Sequence, residues 1–299
     1  MCRIVSLFLL PILLTATKYA GEFQELGVDG RACAMGGTGV AQYANPSVIY
    51  FNPAGSYFSP RGVSLMHAEN FAGIVKNEFG SVIIPQKTMS LGIGIQYLSV
   101  GDIKLTSLYD TTESPNSNNR PYVSDTVGTK DMVLYLNGSK GNDHLAFGAN
   151  VKVFYRDLSV ITGYGGGFDV GAVVNLDHLI VGITLRDFVL SPIMWSNGTK
   201  ETIITRFAIG VAPVIPLTAI NSGITFVCDV VKPLDIEGFD VNLGFEYTYK
   251  DVICGRIGIY RGNYTFGAGL QYRQFNVDYA LVTHSELANS NKISAGYRF

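Results

Sequence analysis

The chain has 299 residues, of which 15% are charged, and its formal net charge of −2 offers no basic surface for nucleic acid. Beyond the first 20 residues no apolar stretch reaches the roughly 18 residues that a membrane-spanning helix needs, so the sequence excludes a helical membrane protein. Its 34 glycines, 17 tyrosines and 17 phenylalanines are instead typical of membrane strands flanked by aromatic residues.

Residues 1–20 are predicted to form a signal peptide. Arg3 gives a positive start and residues 4–14 form an apolar run, with cleavage expected after Ala16 or Ala20. The run is too short for a spanning helix, so the sequence predicts export. Among the later cysteines, Cys33, Cys228 and Cys254 are too few for a disulfide scaffold, and whether any two of them pair stays open.

Residues 21–60 do not alternate between apolar and polar side chains, but they are rich in glycine and contain two Asn-Pro pairs. Asn-Pro pairs favour turns and helix boundaries, so we expect short helical turns joined by tight bends. Irregular backbone is tolerated at membrane depth only where protein or a water-filled cavity surrounds it. The segment is therefore predicted to be a hatch inside a barrel, with its gate at Asn45, Pro46, Asn52, Pro53, Ala54 and Gly55.

Residues 61–299 are predicted to form a transmembrane antiparallel β-barrel, because strand after strand places large apolar residues on one face and small or polar ones on the other. The fourteen segments centre near Leu65, Phe79, Ile93, Leu134, Val151, Val170, Ile183, Ile209, Phe226, Leu243, Ile257, Ala268, Tyr279 and Ala295. Connections alternate between short and long, and the longest are expected at 101–129, 187–202 and 283–291. The alternation places the connection 212–222 among the short ones, and it is the one connection of that group that is expected to be longer than a short turn. A soluble β-sandwich would not show this alternation.

The last strand ends on an aromatic residue, with Tyr297 and Phe299 on its apolar face. An ordinary edge strand could end in this way, but a closing barrel strand gains an interface aromatic from it. The ending also resembles the signal that the barrel-assembly machinery recognises, so Tyr297 and Phe299 are interpreted as the assembly signal.

Charged residues of both signs fall on the inward face of the predicted strands. They are Lys152, Asp169, Arg186, Arg206, Asp229, Glu246, Arg256 and Asp278. One interpretation is an ion-paired lining that holds the hatch, and the other is a substrate path, since charges within a membrane span often mark one.

The run Gly30-Arg-Ala-Cys-Ala-Met-Gly-Gly-Thr-Gly-Val-Ala41, followed by Asn45-Pro46 and Tyr50-Phe-Asn-Pro-Ala-Gly55, resembles the N-terminal signature of PorV/PorQ-type proteins. These belong to the FadL long-chain fatty-acid transporter superfamily. The resemblance implies a fourteen-stranded barrel with an N-terminal hatch in the bacterial outer membrane, in contact with its lipid.

Two functions follow from the resemblance. The preferred one is a non-enzymatic accessory of protein secretion or surface attachment, of the type IX kind, with secretion-system partners. The alternative is passive transport of a hydrophobic small molecule such as a long-chain fatty acid, through a pocket lined by Phe51, Tyr57, Phe58 and Phe71. An enzyme is not expected, because the four histidines are dispersed and no nucleophile, metal or phosphate motif occurs, so no cofactor is predicted.

Overall fold

The computed structural model describes residues 17–43, 45–188 and 191–299, so residues 1–16 of the predicted signal peptide lie outside the described residues. The segment before the barrel contains one strand, two short α-helices and two 3-10 helices. These are β1 (Thr17–Ala20), a 3-10 helix (Glu22–Gln24), α1 (Gly30–Ala34), α2 (Val48–Phe51) and a second 3-10 helix (Pro53–Tyr57). No helix among the described residues is both long and apolar enough to cross a membrane.

Sixteen further strands follow. They are β2 (Gly62–Asn70), β3 (Val75–Pro85), β4 (Met89–Ser107), β5 (Tyr122–Gly141), β6 (Leu145–Asp157), β7 (Thr162–Leu176), β8 (Leu179–Phe188), β9 (Ser191–Trp195), β10 (Lys200–Ile203), β11 (Arg206–Leu217), β12 (Ser222–Pro233), β13 (Asp240–Tyr249), β14 (Ile253–Tyr260), β15 (Asn263–Tyr272), β16 (Phe275–Val282) and β17 (Ser290–Arg298).

Fourteen of these strands close into an antiparallel barrel. Each strand from β2 to β8 pairs with the next, β8 pairs with β11, the series continues to β17, and β17 pairs with β2. Every strand centre predicted from the sequence lies in one of them, so the predicted fold class is confirmed. The remaining strands, β9 and β10, form a hairpin that pairs with β7, and β1 lies parallel to β10.

The side chains alternate between a lipid-facing and a lumen-facing surface. In β17, for example, buried and exposed residues alternate along the strand. The outward side chains are bulky and apolar, as in Ile93 (44% exposed) and Phe147 (59% exposed). An apolar outer band around a closed sheet leaves no unpaired strand edge in lipid, which is the condition for a strand protein to span a membrane. The protein is an outer-membrane barrel.

One end of the barrel carries only short turns and the other carries the longer loops. We call the short-turn end, which includes Phe299, the inner end, because short turns face the periplasm in outer-membrane barrels. The connection expected at 212–222 is short after all, since β11 continues to Leu217 and β12 begins at Ser222. The loop expected at 101–129 is also shorter than predicted, because β4 and β5 extend through most of it as a two-stranded ribbon.

The described residues of 21–60, which we call the hatch after their predicted role, pack against the inner faces of the barrel strands. The helix α1 packs against β14 to β17 on one side, and the 3-10 helix Pro53–Tyr57 packs against β5, β6 and β7 on the other. A large buried apolar cluster, including Phe23, Ile49, Phe79 and Phe154, lies on the β2 to β7 side. A second cluster around Met35, with Ala54, Ala146, Val173 and Ala212, fills the space between the hatch and the wall. The described residues of this segment therefore occupy space that the strands enclose.

Candidate functional site

A cavity of 420 Å³ lies between the hatch and the outer ends of the strands. Its floor is formed by hatch residues that include Gly27, Cys33, Val40 and Phe51, and its rim by Phe71, His284 and Leu287 in the outer loops. The wall comes from β8 and from β11 onward around the barrel to β17. The cavity therefore faces the outside, and the hatch separates it from the inner end.

Three arginines converge on one hatch carboxylate at the side of this cavity. Arg186 comes from β8, Arg206 from the start of β11 and Arg261 from the outer turn between β14 and β15. The Glu25 carboxylate is hydrogen-bonded to Arg206, lies 3.2 Å from Arg261 Nη2 and lies 4.0 Å from Arg186 Nη1. We call these four residues the arginine cluster.

The arginine cluster has unused hydrogen-bond donors. Nε and Nη2 of Arg186 and Nε of Arg206 are buried without a hydrogen-bond partner. The Arg186 guanidinium lies 4.6 Å from the centre of the Tyr50 ring, whose face stabilises a cation. A planar guanidinium with free N–H groups is well suited to a carboxylate or another oxyanion.

The rest of the cavity wall is largely apolar. Val40, Phe51, Ala208, Val231 and Val282 contribute to it. Of the four aromatic residues expected to line a pocket, Phe51 and Phe71 do so, whereas Tyr57 and Phe58 pack with Tyr43 against the apolar cluster around Met35. The expectation was wrong for that pair because the 3-10 helix containing Tyr57 turns away from the cavity. An apolar space beside free guanidinium donors fits a hydrophobic molecule with a compact anionic end.

The second Asn-Pro pair of the hatch is bonded to the barrel wall. Asn52 is fully buried, and its Nδ2 donates to Val40 O (2.9 Å), Ala172 O (3.2 Å) and Ile183 O (3.4 Å). The Asn52 Oδ1 accepts from Ala54 N, which caps the following 3-10 helix. Asn137 Nδ2 donates to Pro53 O (3.1 Å).

The first Asn-Pro pair acts within the hatch. Asn45 Nδ2 donates to Asp29 Oδ2 (2.8 Å), and Asp29 in turn caps the N-terminus of α1. Pro46 is buried. At Gly55 an added Cβ would lie 2.4 Å from Val48 Cγ2, so only glycine fits between the two turns.

One group of lumen charges binds α1. Arg31 in α1 makes two hydrogen bonds to Glu246, at 2.7 and 2.8 Å. Glu246 also accepts from Arg256 (2.5 Å), and Arg256 donates to Asp278 (2.7 Å). The bidentate pair fixes the orientation of α1 as well as its position.

A second group of lumen charges lies on β6, β7, β8 and β12. Lys152 Nζ lies 2.7 Å from Asp169 and 2.6 Å from Asp187, and all three side chains are almost completely buried. Asp229 Oδ2 accepts hydrogen bonds from the backbone N–H groups of Gly39 (2.7 Å) and Val40 (3.0 Å). Most of the inward charges thus contact the hatch or each other, whereas Arg186, Arg206 and Asp229 also line the cavity.

Tyr297 and Phe299 lie at the inner end on the lipid-facing surface. Their rings stack with centroids 6.0 Å apart, and Phe275 packs against Tyr297 at 4.7 Å. The Arg61 guanidinium lies 5.0 Å from the centre of the Phe299 ring. The chain therefore ends in an aromatic patch at the inner membrane interface.

Sequence reasoning missed several residues of the site. Glu25 and Arg31 are charged residues within the hatch, where an unpaired charge would be costly, and this signal could have singled them out. Arg261 occupies an outer turn with no alternation to assign its direction. Lys292 lies on the inward face of β17, and its Nζ donates to Asn70 Oδ1 (2.9 Å) and to the hatch carbonyl of Leu26.

Among the described residues, the histidines lie in three different parts of the barrel. His67 lies on the lipid face, His144 and His178 lie in inner turns, and His284 Nε2 contacts Ser290 Oγ at 3.0 Å. The described residues contain no group of three or more side chains that could hold a metal ion, and Cys33, Cys228 and Cys254 are free thiols there.

No family model matches the sequence, and no curated protein matches it. Several solved structures have the same fold. The monoaromatic hydrocarbon channel CymD is 13% identical with a TM-score of 0.57, over 92% of this chain and 98% of that one. The toluene transporter TodX of Pseudomonas putida is also 13% identical with a TM-score of 0.57, over 90% and 96%. A deltaS2 mutant of TodX reaches a TM-score of 0.60 at 13% identity, over 93% and 100%.

At this identity the likeness establishes a shared barrel fold. It does not support the finer PorV/PorQ assignment.

Proposed function

We propose that the protein is a passive outer-membrane channel for hydrophobic small molecules with a compact anionic end, such as long-chain fatty acids. The observation that carries the proposal is the 420 Å³ cavity, which is apolar around Phe51, Ala208 and Val231 and carries unpartnered guanidinium donors at Arg186 and Arg206. Burial of a hydrocarbon chain in such a cavity contributes about 0.8 kcal/mol per CH₂ group.

Transfer from this cavity toward the periplasm requires movement, because hatch residues form the cavity floor and a buried apolar cluster around Met35 lies between hatch and wall. The gate in this proposal is the segment around Asn52, whose bonds to the wall are hydrogen bonds to backbone carbonyls. These bonds can be broken and remade without separating an ion pair.

The structural neighbours named as channels and transporters support passive transport over the secretion accessory that the sequence resemblance suggested. Their names refer to monoaromatic hydrocarbons and toluene, which carry no charge. The arginine cluster is the reason to propose an anionic end for the ligand of this chain.

Uptake of a radiolabelled long-chain fatty acid by bacteria that lack their own channel for it tests the proposal. Expression of the protein should raise uptake, and Val231→Trp should abolish the gain by filling the apolar wall of the cavity. The matched control is Val241→Trp, which adds the same bulk on the lipid-facing surface, where Val241 is 40% exposed. Equal uptake by the two variants, or no gain from the wild type, would refute the proposal.

A further inference from the structure

Glu25 is the hatch carboxylate at the centre of the arginine cluster. It caps the C-terminus of the 3-10 helix Glu22–Gln24, and its side chain is only 11% exposed. Its two carboxylate oxygens face Arg206 and Arg261, respectively, and Arg186 lies 4.0 Å away. A carboxylate that is part of the chain therefore occupies the position most favourable for an anion in this cavity.

Only one of the carboxylates that face the three guanidinium groups is buried. Three guanidinium groups surround one buried carboxylate, and the other acidic partners, Asp240 beside Arg261 and Glu22 beside Arg206, are more exposed. The Glu22 side chain is 81% exposed and its carboxylate lies 3.9 Å from Arg206. The unpartnered N–H groups of Arg186 and Arg206 leave hydrogen-bond donors for a second anion that competes with Glu25.

Gln24 and the backbone of Glu25 are otherwise attached to their surroundings by single hydrogen bonds. Lys152 Nζ donates to Gln24 Oε1 (3.1 Å), Tyr50 Oη donates to Gln24 O, and Tyr260 Oη donates to Glu25 O (3.2 Å). The ion pairs of Glu25 are therefore the main charged attachment of this helix to the barrel wall.

The side chain of Arg156 lies between the helix Glu22–Gln24 and Trp195. Trp195 is the single tryptophan of the sequence. The guanidinium of Arg156 lies 4.4 Å from the ring centre of Phe23 and 5.5 Å from that of Trp195. Trp195 is 6% exposed and belongs to the same buried cluster as Phe23. Displacement of the helix would therefore increase the exposure of Trp195 to water.

We propose that Glu25 is an autoinhibitory latch that takes the place of the ligand's anionic group, so that an incoming carboxylate displaces Glu25 and releases the helix Glu22–Gln24 from the barrel wall. The proposal rests on the proposed transport function. It adds that binding of the anionic end and loosening of the hatch are one event, since the two carboxylates compete for the same guanidinium groups.

Binding of decanoate and of decanol to the purified, refolded full-length protein tests this proposal. The two probes have equal chain length, and only decanoate carries a charge. Glu25→Gln should bind decanoate about tenfold more tightly than the wild type, because a competing charge is removed, while the affinity for decanol stays the same. Glu113→Gln removes a charge from the exposed loop 108–121, which does not line the cavity, and should leave both affinities unchanged.

Tryptophan fluorescence of the wild type gives an independent result that does not depend on any variant. Saturating decanoate should shift the emission of Trp195 to longer wavelength, and decanol should not. Unchanged or shorter-wavelength emission would mean that the decanoate carboxylate binds without displacing Glu25. This result would overturn the latch. An equal gain in decanoate affinity for Glu113→Gln and Glu25→Gln, or no gain for either, would also overturn it. If neither probe binds any of the proteins, the transport function fails and the latch fails with it.

Discussion

At the scale of single residues, the inside of this barrel is organised by polar side chains that satisfy the backbone of the hatch. Asn52 donates to carbonyl groups of the hatch and of two strands, while Ser294 and Thr265 accept from the hatch N–H groups of Gly30 and Gly36. Buried backbone groups without such partners would cost free energy, so each of these side chains stabilises an irregular segment that has little regular structure of its own.

Asn52→Ala should destabilise the closed position of the hatch by about 1–3 kcal/mol, because it removes the hydrogen bonds that Asn52 donates to Val40, Ala172 and Ile183. Planar-bilayer recordings should show more frequent transient openings than for the wild type. Asn197→Ala is the control, since Asn197 lies in an exposed outer turn. Equal opening frequencies for the two variants would contradict a gate at Asn52.

Phe299→Ser should greatly lower the amount of protein in the outer membrane, because Phe299 is interpreted as part of the assembly signal. Phe275→Ser is a close control, since Phe275 is also a lipid-facing aromatic residue at the inner end and is 58% exposed. Quantitative blotting of isolated outer membranes measures both. If both variants reach the same level in the outer membrane, Phe299 is not an assembly signal and serves, like Phe275, only as a lipid-facing aromatic residue.

Acid should release Glu25 only well below neutral pH. Burial acts to raise the pKa of Glu25, but Arg186, Arg206 and Arg261 lower it, and the net result lies below the ordinary value of 4.5. A carboxylate whose pKa is lowered by folding stabilises the fold above its ordinary pKa, and this contribution is lost as the pH falls through the lowered pKa. Trp195 emission should stay constant from pH 7 to about 5 and change only below the ordinary pKa. The acid transition should be absent in Glu25→Gln, and its persistence there would assign it to another group.

At the scale of elements, the hatch is a separate insert that the barrel wall surrounds. The strand pairings from β2 through β8 and β11 to β17 close the barrel without any hatch residue. The wall can therefore form its hydrogen bonds without the hatch, while the lumen cannot be closed without it.

Deletion of residues 21–60 should leave an assembled barrel that conducts continuously, whereas the intact protein should be closed. Steady conductance in planar bilayers measures the difference. If the truncated barrel conducts no better than the intact protein, the hatch assignment fails, and so does any transport role based on its movement.

The sequence predicts the strands well because alternation is a local property that each segment shows by itself, as in β4 and β17. It does not predict where β4 and β5 end, since their outer parts pair with each other in water and need no apolar face. Alternation also predicts the face on which Arg186 and Arg206 lie. It cannot predict that they meet Glu25 and Arg261, because that depends on how a hatch without regular periodicity packs within the lumen.

At the scale of the whole molecule, the closed sheet determines how the protein behaves in detergent. A barrel without unpaired edges keeps its strand hydrogen bonds when detergent replaces lipid, and it unfolds only when these bonds break together. Folded, unheated protein should therefore migrate faster on detergent gels than boiled protein. Identical mobility would contradict the barrel.

The ribbon formed by the outer halves of β4 and β5 has a practical consequence. β3 pairs with β4 only as far as Val100, and β6 pairs with β5 only from Lys130, so the ribbon rises beyond its neighbours and ends in the loop 108–121. Exposed loop tips tolerate insertions, because few contacts depend on them. A foreign epitope inserted in this loop would be held beyond the barrel rim on the two-stranded ribbon, which would make the protein a scaffold for displaying peptides to antibodies on living cells.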